Sequence, residues 1–248
     1  MVAIPPPLHS CDNQRLARKS YAEAGLVLKA LNLDVDISDR RLLDMGCGLG
    51  GKSVYYAEQG AHLVVGLDIS EARARVAAAF ARQHRAGAAD KNHPKVQIVV
   101  ADAAHLPFPN DVFDAIISTD TWEHLVAPIM ALQECARVVQ SGGTVALSAL
   151  PYYSPWGAHI WDWLPLPWVQ VLLPKPLLFK GVRWIERIRQ VNAQRPSATR
   201  LDWARMDDPA HAQQLTVASL EHAIALANLE VRRFEALPIG SEREGLVA

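Results

Sequence analysis

The sequence predicts an α/β protein built on a doubly wound, mostly parallel sheet, and three observations carry this prediction. Short apolar runs alternate with segments of helical periodicity, which is the pattern of repeated βαβ units. The first apolar run ends in the glycine-rich stretch "LLDMGCGLGG" at residues 42–51. The length of 248 residues suits one domain of this class. We therefore expect a single domain over residues 1–248.

The predicted elements follow one another regularly as far as residue 149. Right-handed crossovers join the strands, which are short and rich in Val, Ile and Leu, as in sheets buried on both faces. A turn is expected at Gly142 and Gly143, before the fifth strand. The helices are predicted at residues 14–32, Lys52–Gln59, Glu71–Ala86 and Val126–Gln140. The strands are predicted at Leu42–Asp44, His62–Asp68, Val96–Ala101, Phe113–Ser118 and Thr144–Ala149.

The alternation stops after the fifth strand. Six prolines within residues 151–182 predict that this span contains no long helix or central strand. Six of the seven tryptophans lie between Trp156 and Trp203. An amphipathic helix is predicted at Arg183–Arg195, where apolar residues recur at helical spacing. We interpret residues 151–213 as an inserted segment that acts as a lid and binds substrate.

After the lid the alternation resumes with a helix at Val217–Asn228 and a strand at Glu230–Leu237. Only "PIGSEREGLVA" follows this strand. That stretch is short for a turn and a further full strand. The sequence therefore leaves undecided whether another strand forms the outer edge of the sheet.

The composition excludes several classes of function. The formal net charge of −1 gives no overall attraction to nucleic acid. Cys11, Cys47 and Cys135 form no CxxC pair, which argues against a disulfide framework or a zinc site and favours a reducing, cytoplasmic compartment. No apolar run is long enough to span a membrane. We therefore expect no metal and no nucleic-acid partner.

The glycine loop, residues 46–51, satisfies two patterns of nucleotide site. Gly46, Gly48 and Gly51 fit GxGxxG, the dinucleotide fingerprint. Gly46, Gly48 and Gly50 together with Asp44 fit DxGxGxG. In both patterns an acidic residue that ends the second strand accepts hydrogen bonds from ribose hydroxyls. The loop alone therefore leaves a diphosphate and an amino-acid-bearing nucleoside open as ligands.

The stretches "LLDMGCGLGGKSVYYAEQGAHLVVGLDIS" and "VQIVVADAAHLPFPNDVFDAIISTDTWEHL" resemble the class I S-adenosylmethionine-dependent methyltransferases. The resemblance covers about residues 40–150, with a weaker likeness at residues 215–237. It implies a Rossmann-like fold with S-adenosylmethionine as the cofactor. Asp44 is implied to hold the methionine end, Asp68 the ribose and Asp102 the adenine amino group. The other implied cofactor contacts are Gly46, Cys47, Gly48, Gly50, Ile69, Ala103 and Thr119.

The carboxylate of Asp44 favours this resemblance over a nicotinamide oxidoreductase. A diphosphate is repelled by a carboxylate at the end of the first strand. S-adenosylmethionine has no phosphate and carries an ammonium and a sulfonium. A protein that binds S-adenosylmethionine without catalysis keeps the same site, so it stays open as an alternative.

The resemblance implies methyl transfer to a small molecule, and we expect a hydroxyl oxygen as the acceptor. Strand four ends in "STDTWEH" and lacks the (N/D/S)PP(Y/F/W) motif typical of amino-group methyltransferases of nucleic acids. A hydroxyl acceptor benefits from a general base, and histidine suits neutral pH. The alternative is a nitrogen or carbon of an apolar or lipid-like metabolite. The candidate bases are His159 and His124, and the candidate substrate contacts are Tyr152, Tyr153 and Trp156.

The composition of the lid leaves three interpretations open. Its stretch "HIWDWLPLPWVQVLLPKPLLF" is rich in tryptophan, leucine and proline, and basic residues dominate the stretch that follows it. The lid can be ordinary packing or a homodimer contact. It can form an apolar substrate pocket in which an arginine holds an anionic group. It can also dock reversibly on a membrane surface, where tryptophan and basic side chains anchor well.

Overall fold

The computed structural model describes residues 11–30, 37–87, 95–155, 166–191 and 215–234. Its core is a five-stranded, all-parallel sheet with the strand order β3-β2-β1-β4-β5. The predicted doubly wound parallel sheet is thereby confirmed. The strands are β1 Arg41–Met45, β2 Leu63–Asp68, β3 Lys95–Val100, β4 Phe113–Ser118 and β5 Val139–Leu147.

Helices connect β1 to β2, β2 to β3 and β4 to β5, as the sequence periodicity predicts, whereas β3 is joined to β4 by a loop without a helix. A short 3-10 helix at Trp122–His124 lies between β4 and the next α-helix. The α-helices are α1 Cys11–Ala30, α2 Gly51–Glu58, α3 Glu71–Gly87, α4 Pro128–Val138, α5 Val169–Leu172, α6 Lys175–Val191 and α7 Val217–Leu226.

The strand order reverses between β1 and β4. Leu43 of β1 lies in register with Val65 of β2 on one side and with Ile116 of β4 on the other. All three side chains are buried, since helices pack on both faces of the central strands. In open sheets of this topology, ligands bind outside the carboxyl ends of the strands that flank the reversal. The loops after β1 and β4 therefore border the expected ligand crevice.

Strand β5 begins earlier than predicted, and the predicted turn at Gly142 and Gly143 lies inside it. Helix α4 ends at Val138 because Val139 adopts an extended backbone and enters the strand. The pairing of β4 with β5 shifts register at this point. Gly142 has a left-handed φ of 78°, and Gly143 lies tight against the neighbouring strand. The two glycines therefore form a bulge.

Helix α6 corrects the prediction that residues 151–182 hold no long helix. It begins at Lys175 and runs for 17 residues, so it takes in the start of the helix predicted at Arg183–Arg195. Pro176 stands in its first turn, where a missing backbone N–H costs no hydrogen bond. Residues 192–195 of the predicted helix lie outside the described residues.

The strand predicted at Glu230–Leu237 is wrong over Glu230–Phe234, where the described chain is irregular. Asn228 adopts a left-handed conformation after α7, and Val231 and Phe234 stand half exposed. Two arginines between these apolar residues leave no face that could be buried on the sheet. Residues 235–237 lie outside the described residues.

The two ends of the predicted lid meet at one hydrogen bond. The backbone N–H of Tyr152, just after β5, donates to the carbonyl of Leu215, just before α7, at 2.9 Å. Gln170 of α5 is buried, and its amide donates to the carbonyls of Tyr152 at 3.0 Å and Ser154 at 2.7 Å. The segment that follows β5 and the segment that precedes α7 therefore lie side by side.

Helix α1 packs directly on the start of α2. A side chain at Gly51 would overlap the backbone carbonyl of Ala17 and approach the backbone nitrogen of Tyr21 at 2.6 Å. The Tyr21 hydroxyl donates to the Glu58 carboxylate at the far end of α2. That hydrogen bond, with burial, raises the pKa of Tyr21 to about 12. Gly51 is therefore a packing residue between two helices.

We expect Gly51→Ala to lower the free energy of unfolding by about 1–3 kcal/mol, because the new methyl group meets backbone atoms that cannot move alone. Gly25→Ala is the matched control in α1. Its methyl group meets only the mobile hydroxyl end of Tyr55, at 2.6 Å, and alanine gains about 1 kcal/mol of helix propensity. Urea unfolding measures both. Equal losses in the two variants would contradict the tight α1–α2 contact.

Candidate functional site

The glycine loop is held against the end of β2. The backbone N–H groups of Gly46 and Cys47 both donate to the carbonyl of Leu67, at 2.8 and 2.9 Å. Gly46 has a φ of 81°, which disfavours any residue with a side chain. A Cβ at Gly46 would also overlap the side chain of Thr121, in the loop after β4. The loops after β1 and β4 therefore touch where only glycine fits.

Gly48 alone among the loop glycines faces open space. No atom lies within 4 Å of where its Cβ would stand, whereas a Cβ at Gly50 would come within 2.7 Å of Ala77 in α3. Gly51 packs on α1, as described above. Gly48 is therefore the glycine that leaves its backbone accessible to a ligand.

Asp44 is a buried carboxylate at the end of β1, with 2% of its surface exposed. Ser53 of α2 donates a 2.5 Å hydrogen bond to it. Burial raises the pKa of Asp44 to about 6, against the lowering effects of Ser53 and Lys52. Because the folded pKa exceeds that of the unfolded chain, ionisation of Asp44 costs about 3 kcal/mol of stability above pH 6. That cost is absent below pH 4, where both states are protonated.

Asp68 ends β2 and is buried beside the glycine loop. One carboxylate oxygen accepts the backbone N–H of Gly48 at 3.0 Å, and the other accepts that of Ser70 at 2.8 Å. Each oxygen keeps a second lone pair for a ligand hydroxyl. Ile69 follows with an exposed side chain.

Asp102 lies two residues beyond β3, and about half of its side chain is exposed. One of its oxygens accepts the backbone N–H of Ala104 at 2.9 Å. The other lies 3.8 Å from the ring of His105. Ala103, the residue directly after Asp102, is buried. Asp102 therefore stands in a turn with its carboxylate partly open to solvent.

The acidic side chains line the edge of the sheet in strand order. Asp102 follows β3, Asp68 ends β2 and Asp44 stands at the end of β1, while Thr119 follows β4. Neighbouring strands are about 4.8 Å apart, so the three carboxylates extend over roughly 10 Å, and Thr119 lies about 5 Å further along. A row of carboxylates repels a diphosphate and suits an elongated ligand that carries hydroxyl, amino and ammonium groups.

Lys52 joins the start of α2 to the end of β4, and sequence reasoning did not find it. Its ammonium donates to the hydroxyl of the buried Thr119 and lies 3.2 Å from the carboxylate of Asp120. Ser53, the donor to Asp44, was missed as well. Both residues directly follow the glycine loop in the chain, and this adjacency is the signal that could have found them.

The thiol of Cys47 takes no part in an open site. Cys47 is buried, and burial with the nearby Asp44 carboxylate raises the pKa of its thiol well above the usual range. Its backbone N–H is used in the bond to Leu67. Among the described residues, no group of three His, Cys, Asp or Glu side chains is arranged to hold a metal ion.

The candidate substrate residues fall into three groups. His124 is exposed in the 3-10 helix that follows β4. Tyr152 is buried with its hydroxyl donating to the carbonyl of Gln170 at 3.2 Å, whereas Tyr153 is half exposed. His159 and Trp156 lie outside the described residues. In the described part of the chain, His124 thus follows the carboxyl end of β4, and Tyr152 and Tyr153 follow that of β5.

Comparisons with known proteins agree with this geometry. Residues 43–147 match the family model described as "Methyltransferase domain". The chain is 32% identical over 114 residues to ajmaline N-methyltransferase of Rauvolfia serpentina, covering 46% of this chain and 37% of that protein. It is 33% identical over 144 residues to a ubiquinone biosynthesis O-methyltransferase of Alkalilimnicola ehrlichii, covering 58% of this chain and 51% of that protein. The matches thus span about a third to a half of these relatives.

A solved structure extends the likeness in fold over most of the chain. The YcgJ protein from Bacillus subtilis superposes with a TM-score of 0.52 at 18% identity, covering 91% of this chain and 82% of that one. The family match starts one residue before Asp44 and ends with the last residue of β5, so it covers the strands that carry the row of acidic side chains. Residues 43–147, which carry the glycine loop and the row of acidic side chains, are therefore similar to a methyltransferase domain.

Proposed function

We propose that this chain transfers the methyl group of S-adenosylmethionine to a hydroxyl oxygen of a small, largely apolar molecule. The observation that carries the proposal is the buried Asp44 carboxylate beside the open backbone of Gly48. A buried anion with a raised pKa lacks a full counter-charge, and the ammonium of the methionine end supplies one. The bound cofactor supplies an electrophilic methyl group on a sulfonium.

The cofactor lies along the row of acidic side chains in this proposal. Asp44 binds the ammonium, the free lone pairs of Asp68 accept the ribose hydroxyls, and Asp102 accepts the adenine amino group. Such hydrogen bonds to charged groups are worth about 1.5–3 kcal/mol each. The further proposed contacts are Gly46, Cys47, Gly48, Gly50, Ile69, Ala103 and Thr119.

An oxygen acceptor is supported by the relative with the longer match, whose name is that of an O-methyltransferase. The relative with the shorter match is named an N-methyltransferase, so nitrogen is the second candidate acceptor. Neither name concerns a nucleic acid. The chain carries 25 basic and 26 acidic residues, which gives no general affinity for phosphate backbones.

A general base completes the proposed reaction. The base takes the hydroxyl proton as the acceptor oxygen forms its bond to the methyl carbon, and the bond from that carbon to sulfur breaks. The sulfur keeps the electron pair and leaves as a neutral thioether. His159 and His124 are the candidate bases, since histidine exchanges protons near neutral pH. In-line positioning of the acceptor contributes a further ~7–11 kcal/mol in favourable cases.

Residues 151–213 form the substrate lid in this proposal, within a single domain. The hydrogen bond between Tyr152 and Leu215 supports it, because an insertion must leave and re-enter the fold at one place. Tyr153 and Trp156 are the other proposed substrate contacts. The free, buried thiols of Cys47 and Cys135 support a reducing, cytoplasmic setting.

The proposed function predicts a labelled product when the protein is incubated with methyl-labelled S-adenosylmethionine and a panel of phenols. The matched control is each phenol with its hydroxyl already blocked as a methyl ether, which should give no product. Methylation of the blocked compounds would show that the acceptor atom is a carbon or a nitrogen. Thermal stabilisation by S-adenosylhomocysteine without any product identifies a non-catalytic binding protein, and stabilisation by NADH alone overturns the methyltransferase proposal.

The base assignment predicts that His159→Ala lowers kcat by about 10²–10⁴-fold. The dissociation constant of S-adenosylhomocysteine stays within about twofold, because the side chain acts on the acceptor. His124→Ala is measured in parallel as the competing candidate. A kcat that falls only in the His124 variant transfers the role to that residue, and two unchanged variants exclude both histidines.

The pKa of Asp44 predicts that cofactor affinity depends on pH. Protonation removes the anion that pairs with the ammonium, so the dissociation constant of S-adenosylhomocysteine should rise about tenfold from pH 7 to pH 5. Titration calorimetry at several pH values measures this. Asp44→Asn should bind weakly at every pH and show a flat profile. An equally steep profile in that variant would assign the titration to another group.

A further inference from the structure

The described part of the lid exposes an unusual number of large apolar side chains. Within α6, Trp184 is 64% exposed, Leu177 56% and Ile188 42%. Leu172, at the end of α5, is 73% exposed. Contiguous apolar surface of this kind marks an interaction site in most water-exposed domains. The other exposed apolar residues of this surface are Leu166, Trp168, Val171 and Leu173.

The geometry of α6 separates an inward side from an outward stripe. Leu178 is 4% exposed and fixes the side of the helix that packs on the protein. Leu177, Trp184 and Ile188 follow at intervals of seven and four residues, which places them along one line of the helix surface. The three exposed apolar side chains therefore lie on one side of the helix, spread over about three turns.

Positive charge accompanies this stripe. Lys180 and Arg183 are exposed on α6, three and six residues beyond Leu177, so they lie along one flank of the stripe. The sequence of α6 holds five basic residues and one acidic residue, whereas the whole chain has a formal net charge of −1. The cationic surplus is thus concentrated in the helix that carries the exposed apolar stripe.

We propose that the docking face, formed by the exposed residues of α5 and α6, binds reversibly to the surface of an anionic lipid bilayer. Tryptophan and leucine enter the boundary between headgroups and acyl chains, and the flanking lysine and arginine pair with lipid phosphates. None of the helices in the described ranges is long and apolar enough to cross a membrane.

The positive charge of the docking face favours an anionic bilayer over a second copy of the chain as its binding partner. A two-fold symmetric dimer through this face would bring two cationic helices together, and their repulsion opposes the contact. An anionic bilayer presents the opposite sign across its whole surface. The docking needs no methyl transfer, so its test is independent of the proposed function.

The test is sedimentation of the whole chain with sucrose-loaded vesicles of equimolar phosphatidylglycerol and phosphatidylcholine. We expect binding to these vesicles, weaker binding at high salt, and little binding to phosphatidylcholine alone. Trp184→Glu with Ile188→Glu, and separately Lys180→Glu with Arg183→Glu, should each weaken binding more than about tenfold. These residues are exposed, so the fold should tolerate the changes.

Leu226→Glu is the matched control, because Leu226 is 49% exposed on α7, outside the docking face. Its vesicle binding should equal that of the unaltered chain. Failure of the unaltered chain to sediment with the anionic vesicles overturns the proposal, and so does equal loss of binding in the Leu226 variant. Light scattering that finds a dimer abolished by Trp184→Glu, without vesicle binding, assigns the face to self-association.

Discussion

The site depends on the close approach of two loops at the point where the strand order reverses. Gly46 turns with a left-handed backbone against the side chain of Thr121, and no side chain fits between them. Just before it, the carbonyl of Met45 accepts a 2.9 Å hydrogen bond from the Ser118 hydroxyl. These contacts join the end of β1 to the end of β4. The direction of the Gly48 backbone and the start of α2 both follow from them.

The second constraint is electrostatic. A carboxylate buried at Asp44 opposes folding when it is ionised, and Ser53 and Lys52 offset only part of that cost. Sites that bind charged ligands commonly carry such local instability. A carboxylate whose charge and hydrogen bonds were all paired within the protein would gain little from binding the ligand. Lys52 is held by Thr119 and Asp120 in the loop after β4. From there its positive charge lowers the pKa of Asp44 without forming a hydrogen bond to it.

Local patterns in the sequence predict the sheet well because its strands are short, apolar and separated by helical periodicity. The predictions fail where one residue type is compatible with two local structures. Gly142 bends β5 against β4 instead of ending a loop, and Pro176 begins a helix instead of preventing one. In the site, the motif identifies Asp44 and the glycines. Lys52 stays hidden because its partner Thr119 is 67 residues away in the chain.

The hydrogen bond between Tyr152 and Leu215 has a consequence for how such a protein can change. A segment whose ends adjoin can be exchanged or shortened without moving the elements on either side, since a tight turn can replace it. Under the proposed function, replacement of residues 151–213 would change the range of acceptors, while the residues proposed to bind the cofactor would stay unaltered.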